Sequence, residues 1–377
     1  MQSGVATINN NNTIFIGMDV HKESYTLCAY SPVQEEPSHI VKCKADYRNI
    51  IQYLTTIKKH YGDDFQFICG YEAGCLGFTL CRDLLAAGID CRILAPTTMP
   101  KRPAVRLKTD TRDAKDIAKC LAYRTCSFVC VPNEEDEQTR DYIRMRNSHK
   151  KQLKINKQHI SAFCLRHNLV TPHRRWTGLH ITWLRSLELE PTYKEILTEY
   201  LITYDRLTET ITRLDKRIAE IASNKRYADK VNRLKCFIGI CDYTALALVA
   251  EVGDFSRFPD ANHFASFIGV TPGEHSSGGK KASLSITRAG NSLLRTLLTE
   301  ASHCYSRGQI GFKSRALKLR QEGQPPEVIA YADRANNRLK RRYYHLMMTG
   351  KNGNKVRTAI VRELSCFIWG MMNNQIA

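Results

Sequence analysis

Two apolar strands that each end in a carboxylate set the strongest limit on how this chain can fold. Thr13-Ile-Phe-Ile-Gly-Met-Asp-Val20 is β-branched and apolar and carries Asp19 near its end. Phe65-Gln-Phe-Ile-Cys-Gly-Tyr-Glu72 repeats the arrangement with Glu72, just before Ala73-Gly74. An acid inside such a strand is costly to bury without a partner. Ser24 to Tyr30, His39 to Cys43 and Asp90 to Ala95 read as further strands. Asp46 to Tyr61, Phe78 to Ala87 and Asp110 to Arg124 read as helices. Three strands followed by alternating helix and strand predict a mixed α/β sheet layered with helices. Open sheets of this class hold their sites at the C-terminal strand ends, where both acids fall.

Leu107-Lys-Thr-Asp-Thr-Arg-Asp-Ala-Lys-Asp116 opens the third helix and places Asp110 and Asp113 on one helix face. Read alone, the pair is an acidic first turn that favours the positive helix N-terminus, with Arg112 and Lys115 as counter-ions. Read with Asp19 and Glu72, it completes four carboxylates able to converge around two divalent ions. Mg²⁺ is commonly held by one or two carboxylates plus substrate phosphates, and paired metals suit phosphodiester chemistry. Asp116, one turn further, leaves Asp113 and Asp116 as an alternative metal-facing pair.

The chain has 377 residues, room for two or three domains, and a net charge of +19. Residues 1–125 hold 16 Lys/Arg against 13 Asp/Glu, so most of the excess lies in the later two-thirds. Phosphate backbones are the usual partner for such a surplus. The 14 cysteines are scattered, mostly through apolar segments, without zinc-ligand spacing, and read as reduced thiols. No apolar run reaches the roughly 18 residues of a membrane span, and the polar, uncharged start is not a targeting signal. No membrane association is expected, and cytoplasm is the expected location.

From Glu134 to about Val170 the pattern is long, helical and basic. Arg140, Arg144, Lys151 and Lys154 recur at helical spacings as a positive stripe, read as a nucleic-acid track or, failing that, a solvated face. A second long helix, Thr192 to Ala222, repeats apolar residues from Leu197 to Ile221 at three- and four-residue steps, as in a coiled-coil or helical-hairpin seam. Leu234 to Ala250 reads either as a helix-hairpin-helix, with Cys241 where a second turn glycine is usual, or as a packing helix pair. In Phe267-Ile-Gly-Val-Thr-Pro-Gly-Glu-His-Ser-Ser-Gly-Gly-Lys-Lys281, a Ser-Ser-Gly-Gly turn exposes hydroxyls beside Lys280 and Lys281, with Arg288 and Arg295 following. A serine among cations can attack phosphorus if its proton is removed; such a loop is also often only a loop. Lys340-Arg341-Arg342-Tyr-Tyr344 interleaves cations with aromatics, as nucleic-acid surfaces do. Arg362 to Met372 reads as a closing apolar helix.

The stretches Gly17-Met-Asp-Val-His-Lys22, Tyr71-Glu-Ala-Gly74, Lys108 to Ala118, Phe267 to Lys280 and Ile286 to Arg295 together resemble one family, and the likeness covers nearly the whole chain. It is the bridge-RNA-guided transposases of the insertion-sequence one-ten family, which includes the pilin-gene invertase. The resemblance implies three parts. Residues 1–130 are similar to a RuvC-like α/β domain of ribonuclease-H fold, with a DEDD set at Asp19, Glu72, Asp110 and Asp113 that binds Mg²⁺. Residues 131–228 are similar to the helical coiled-coil arm. Residues 229–377 are similar to the mainly α transposase domain, whose nucleophile maps to Ser277, with Ser276 in reserve. It further implies a homo-oligomer, a dimer or tetramer, that acts on donor and target DNA at the nucleoid. A structured bridge RNA would pair with both DNAs, so the protein need not read sequence itself. Two rivals remain on the residues alone: a metal-dependent nuclease or junction resolvase without serine chemistry, and a non-catalytic nucleic-acid-binding protein.

Overall fold

The computed structural model describes residues 12–74, 76–100, 109–277 and 280–376, without the side chains of 274–284. The chain divides into two compact units, residues 1–132 and 133–377.

In the first unit, β1 (Thr13–Val20), β2 (Ser24–Tyr30) and β3 (Pro37–Lys44) form an antiparallel meander; β4 (Gln66–Glu72) and β5 (Asp90–Leu94) then pair parallel beside β1. The strand order is β3-β2-β1-β4-β5. Between β1 and β4 the chain departs to opposite sides of the sheet, so the crevice at their carboxyl ends is the topological switch point where such sheets bind ligands. Strand alternation sorts the two faces. Ile14, Ile16, Met18, Cys69 and Tyr71 pack with α1 (Tyr47–Tyr61) and α2 (Thr79–Ala86) in one core. Phe15 and Ile68 pack on the other face against α3 (Asp110–Tyr123), through Ile117, Ala118 and Leu121.

Gly17 and Gly70 lie on that second face, between Phe15 and Asp19 and between Ile68 and Glu72. A methyl group on Gly17 would overlap the Ala114 carbonyl and the Ala118 backbone nitrogen, and one on Gly70 would meet the Leu121 methyls at 2.8 Å. Missing side chains at these two positions let α3 lie almost on the sheet backbone.

Among its described residues the second unit is helical apart from one hairpin. The long helices α4 (Glu134–Arg166) and α6 (Pro191–Ala222), with α5 (Gly178–Ser186) between them, run antiparallel. Their contacts go in opposite chain order, from Asp136–Arg226 and Arg146–Asp215 to Lys157–Tyr204 and Phe163–Tyr193. Leu197, Leu201, Leu214 and Ile218 are buried, as the seam predicts, but Leu207 and Ile211 are only half-buried. The far end has its own core of Ile160, Phe163, Ile181, Leu184, Leu197 and Leu201.

Next come α7 (Ala228–Lys235), α8 (Asp242–Val252) and α9 (Ala261–Ile268). Every residue of α8 from Tyr243 to Val252 is buried, so the Leu234–Ala250 stretch is a packing helix pair at the centre of this unit. The hairpin β6 (Pro272–Ser277) and β7 (Lys280–Ile286) is followed by α10 (Ser292–Ser302), α11 (Arg315–Gln321), α12 (Pro326–Met348) and α13 (Gly353–Met372). The closing helix therefore begins nine residues before Arg362. Described cysteines are free thiols, and Cys69, Cys81 and Cys91 lie in the first core. No helix among the described residues is long and apolar enough to cross a membrane.

Candidate active site

The first unit gathers its acids at the crevice between β1 and β4. Met18 stands opposite Tyr71 in the parallel ladder, so Asp19 and Glu72 are the next residues on neighbouring strands. By alternation both belong to the face that α3 covers. The first turn of α3 brings Asp110 and Asp113 to the same place, because the stripe Asp110, Ala114, Ile117, Ala118 and Leu121 faces the sheet. Glu72 and the strand-borne Asp19 differ in exposure: Glu72 is exposed, while the Asp19 side chain keeps 16% of its surface.

Burial pushes the Asp19 carboxyl above its ordinary range, and the charges of Asp113 and Asp110 push the same way, opposed by His21. Its Oδ2 is buried and accepts no hydrogen bond. Asp110 is held below the usual carboxylate range by Lys42, whose Nζ donates to Oδ2 at 2.9 Å. The cation held against Asp110 thus comes from β3, across the sheet. His21, just past β1, stands 3.3 Å from Asp19 Oδ2 and 3.8 Å from Asp110 Oδ1. Asp116 lies one turn farther along α3.

Three carboxylates crowded together, one of them with a buried oxygen that no donor satisfies, are a poor arrangement for an empty surface and a good one for a divalent cation. One oxygen each from Asp19 and Asp110 and a ring nitrogen of His21 lie within 4.8 Å of one another. Sequence reasoning chose the acids but passed over His21 and Lys42. His21 sits two residues after Asp19 and could have been found by that proximity. Lys42 is 68 residues from Asp110, and no local signal joins them.

In the second unit, several cations expected to face solvent are used internally. As a solvent-facing nucleic-acid contact Arg140 is corrected: it is 7% exposed and donates to the Ala250 carbonyl. Arg144 makes a two-pronged pair with the buried Glu251 at 2.9 and 3.0 Å while half its side chain stays exposed. Lys340 is corrected likewise, being 4% exposed with Nζ on the Gln309 carbonyl. Arg342 pairs with Glu363, and Arg341 is exposed. The helix period identified residues sharing a face without showing what that face meets.

The later α4 cations nevertheless line a cleft, which Glu251 and Glu300 also border, Lys150 pairing there with Glu300 at 2.6 Å. Arg144, Lys150, Lys151 and Lys154 of α4 face Gly290, Asn291 and Ser292 at the start of α10, around a volume of about 780 Å³. Glu251 accepts from Asn291 Nδ2 as well as from Arg144, and Asn291 caps α10 through the Leu294 amide. Its own amide donates to the Phe267 carbonyl, and the Arg288 amide donates to that of Gly269, so both ends of the hairpin segment are tied down. Arg295 donates to the Ile268 carbonyl, and burial together with Arg288 lowers its pKa.

Ser276 and Ser277 stand in β6, paired with Lys281 and Lys280, rather than in the turn itself. The side chains of Ser276, Ser277, Lys280 and Lys281 lie outside the described residues, as does Gly278-Gly279. No apolar alternation marks Pro272 to Ser277, which is why the strand was not legible.

Comparison with known proteins joins these two regions to one family. Residues 16–167 match a family model described as Transposase, of the IS110 DEDD type, and residues 231–315 match one described as Transposase IS116/IS110/IS902 family. The y4qE protein of Sinorhizobium fredii is 30% identical over 374 residues, 98% of this chain and 91% of its own. The transposase for insertion sequence element IS1533 of Leptospira borgpetersenii is 32% identical, covering 88% of this chain and 96% of that one. The pilin gene-inverting protein of Moraxella bovis is 28% identical over 158 residues, 39% of this chain and 48% of that protein.

Proposed function

This chain belongs to the IS110/IS116 family of transposases, and from that premise we propose that it is a bridge-RNA-guided DNA recombinase that cuts and rejoins donor and target DNA through a serine nucleophile. The observation that carries the reading is the acid cluster at the β1–β4 crevice, with a buried Asp19 oxygen that has no donor. The strand order supports a RuvC-like, ribonuclease-H-type domain over residues 1–130, followed by a coiled-coil arm over 131–228 and a transposase domain over 229–377.

Asp19, Glu72, Asp110 and Asp113 are the residues that would hold Mg²⁺. When bound, the ion would supply positive charge to offset that of the scissile phosphate. The protein's own part is positioning. The glycine-permitted seat of α3 fixes Asp110 and Asp113 against the strand ends, and Lys42 orients Asp110. In the second unit, Ser277, or Ser276 in its place, forms a bond from Oγ to phosphorus as the phosphoester bond to the leaving nucleoside oxygen breaks; the proton lost from Oγ is balanced by the one that oxygen takes up as it leaves as a hydroxyl. Attack by another strand's hydroxyl on the phosphoserine reverses the exchange, conserving the phosphoester bond without an external energy source. Lys151 and Lys154, with Arg144 partly engaged, line the cleft as backbone contacts. Lys280, Lys281, Arg288, Arg295 and Arg341 are further candidates. A dimer or tetramer in the cytoplasm, acting at the nucleoid with its RNA, is the working form of this proposal.

The test is to trap the covalent protein–DNA adduct with purified protein, element-end DNA and the RNA transcribed from the element's non-coding end. Wild-type protein should form an adduct that Ser277→Ala abolishes. Asp110→Asn should lose recombination while retaining salt-dependent DNA binding. Adduct formation surviving in both Ser277→Ala and Ser276→Ala would remove the serine mechanism.

A further inference from the structure

The buried oxygen at the acid cluster bears on a residue to which neither the four-carboxylate set nor the family reading gives a role. Asp19 Oδ2 has no hydrogen-bond donor although His21 Nε2 is only 3.3 Å away. At that distance the contact is long for a hydrogen bond, and an imidazole nitrogen can ligate a metal as well as donate. Donor atoms that share a metal ion point at a common centre and not at one another. The same nitrogen is 3.8 Å from Asp110 Oδ1. The other oxygen of Asp110 is taken by Lys42 at 2.9 Å, which leaves Oδ1 for the imidazole side.

Distances decide whether these atoms can share an ion. In an octahedral shell with bonds of about 2.1 Å, neighbouring ligands stand about 3 Å apart and opposite ones about 4.2 Å. The separations of 3.3 and 3.8 Å, with all three atoms inside 4.8 Å, describe such a shell slightly expanded. His21 is 57% exposed, so its ring can turn by the remaining few tenths of an ångström without disturbing a core.

Building on the reading of this cluster as a metal centre, we propose that His21 is a direct ligand and sets which divalent ion the centre prefers. An imidazole nitrogen adds little for Mg²⁺, a hard ion that keeps oxygen ligands and waters. It adds much for Co²⁺ or Ni²⁺, which rank higher on nitrogen-containing sites. Lys42 contributes by fixing which Asp110 oxygen is presented, as outer hydrogen bonds commonly do for ligating carboxylates.

The experiment uses the full-length protein and metal salts alone, with Co²⁺ followed by visible absorption and calorimetry and Mg²⁺ by calorimetry. Binding lost in Asp19→Asn defines the site and separates it from the chain's other histidines. His21→Ala should weaken Co²⁺ at that site about tenfold or more and Mg²⁺ less than about twofold. His21→Gln, which keeps most of the bulk and replaces the imidazole with a weakly ligating amide, should behave alike, and both variants should keep cooperative thermal unfolding. Equal weakening of both ions, or of neither, overturns the assignment of His21. If wild-type protein shows no binding that Asp19→Asn removes, the metal centre itself is wrong, and His21 falls with it.

Discussion

Asp19 in the first unit and Asp136 in the second are equally shielded, each with a side chain 16% exposed, yet their carboxyls shift in opposite directions. Burial pushes both up. At Asp136 the push is more than offset: Arg226 donates twice, at 3.0 and 2.8 Å, and the Tyr227 hydroxyl once, at 2.7 Å, holding it below the ordinary range. At Asp19 His21 opposes the push only in part, the nearby Asp113 and Asp110 add to it, and the carboxyl stays above its ordinary range. Burial of a charge is therefore uninformative by itself; the groups around it distinguish a structural clamp from a crowded acid cluster. Across the second unit Arg140, Arg146 and Arg226 are spent as Asp136 is, on partners within the unit. In the first, the glycines that draw α3 inward enforce the crowding.

Removing that enforcement should have the largest effect. Gly17→Val would drive a branched side chain into the Ala114 carbonyl and the Ala118 amide, both backbone and unable to step aside. We expect a loss of about 3 kcal/mol or more, at the upper end for overpacking, and loss of divalent-ion binding with it. Urea denaturation and calorimetry measure the two. A well-folded Gly17→Val protein that binds Mg²⁺ normally would mean that the close seat of α3 does not create the site.

Asp136 should show the next largest effect. Asp136→Asn keeps the shape but gives up charge-assisted hydrogen bonds, costing about 2 kcal/mol at neutral pH. Because its folded pKa is depressed, the stabilisation from Asp136 is fully present above the unfolded value near 3.9 and is lost as pH falls through the lower folded value. The gap between wild type and variant in urea midpoints should therefore close on acidification. A gap that persists unchanged once the carboxyl is protonated would show that shape, not charge, holds the base of the α4–α6 pair.

What could be read from the sequence follows the same division. The strands, the helices of the first unit and the four acids were legible because β-branched runs and an i, i+3 pair encode geometry locally. Gly17 and Gly70, each two residues before a site acid, were visible as letters; their meaning depended on a helix arriving from more than 40 residues away in sequence. The basic stripe misled because α4 has two ends with different surroundings. Arg140 and Arg144 flank Ile143, which is buried against the core around α8, whereas Lys151 and Lys154 lie beyond it in solvent. Lys340 was misread for a related reason: it follows Leu339, which is wholly buried, so that face of α12 turns inward. Arg341, one step round the helix, is exposed.

The smallest effect expected is also the sharpest test of the comparison, because its sign is unusual. Asp19→Asn should make the metal-free protein slightly more stable at neutral pH, by less than about 1 kcal/mol. The folded pKa of Asp19 is raised, so the stability it contributes is present below the unfolded value and lost as pH rises through the folded one. Above that range an ionised Asp19 costs stability, and a neutral amide of the same shape does not. Divalent ions should reverse the order. Ligand at about a hundred times its dissociation constant stabilises the folded state that binds it by about 2.7 kcal/mol. Wild type should gain this and the asparagine variant should not. Thermal melts of the two proteins with EDTA and with Mg²⁺ therefore cross. If asparagine is destabilising in EDTA, Asp19 has a donor after all, and the distinction from Asp136 disappears. If it is stabilising in EDTA and the ion fails to reverse the order, the crowding has some purpose other than holding a metal.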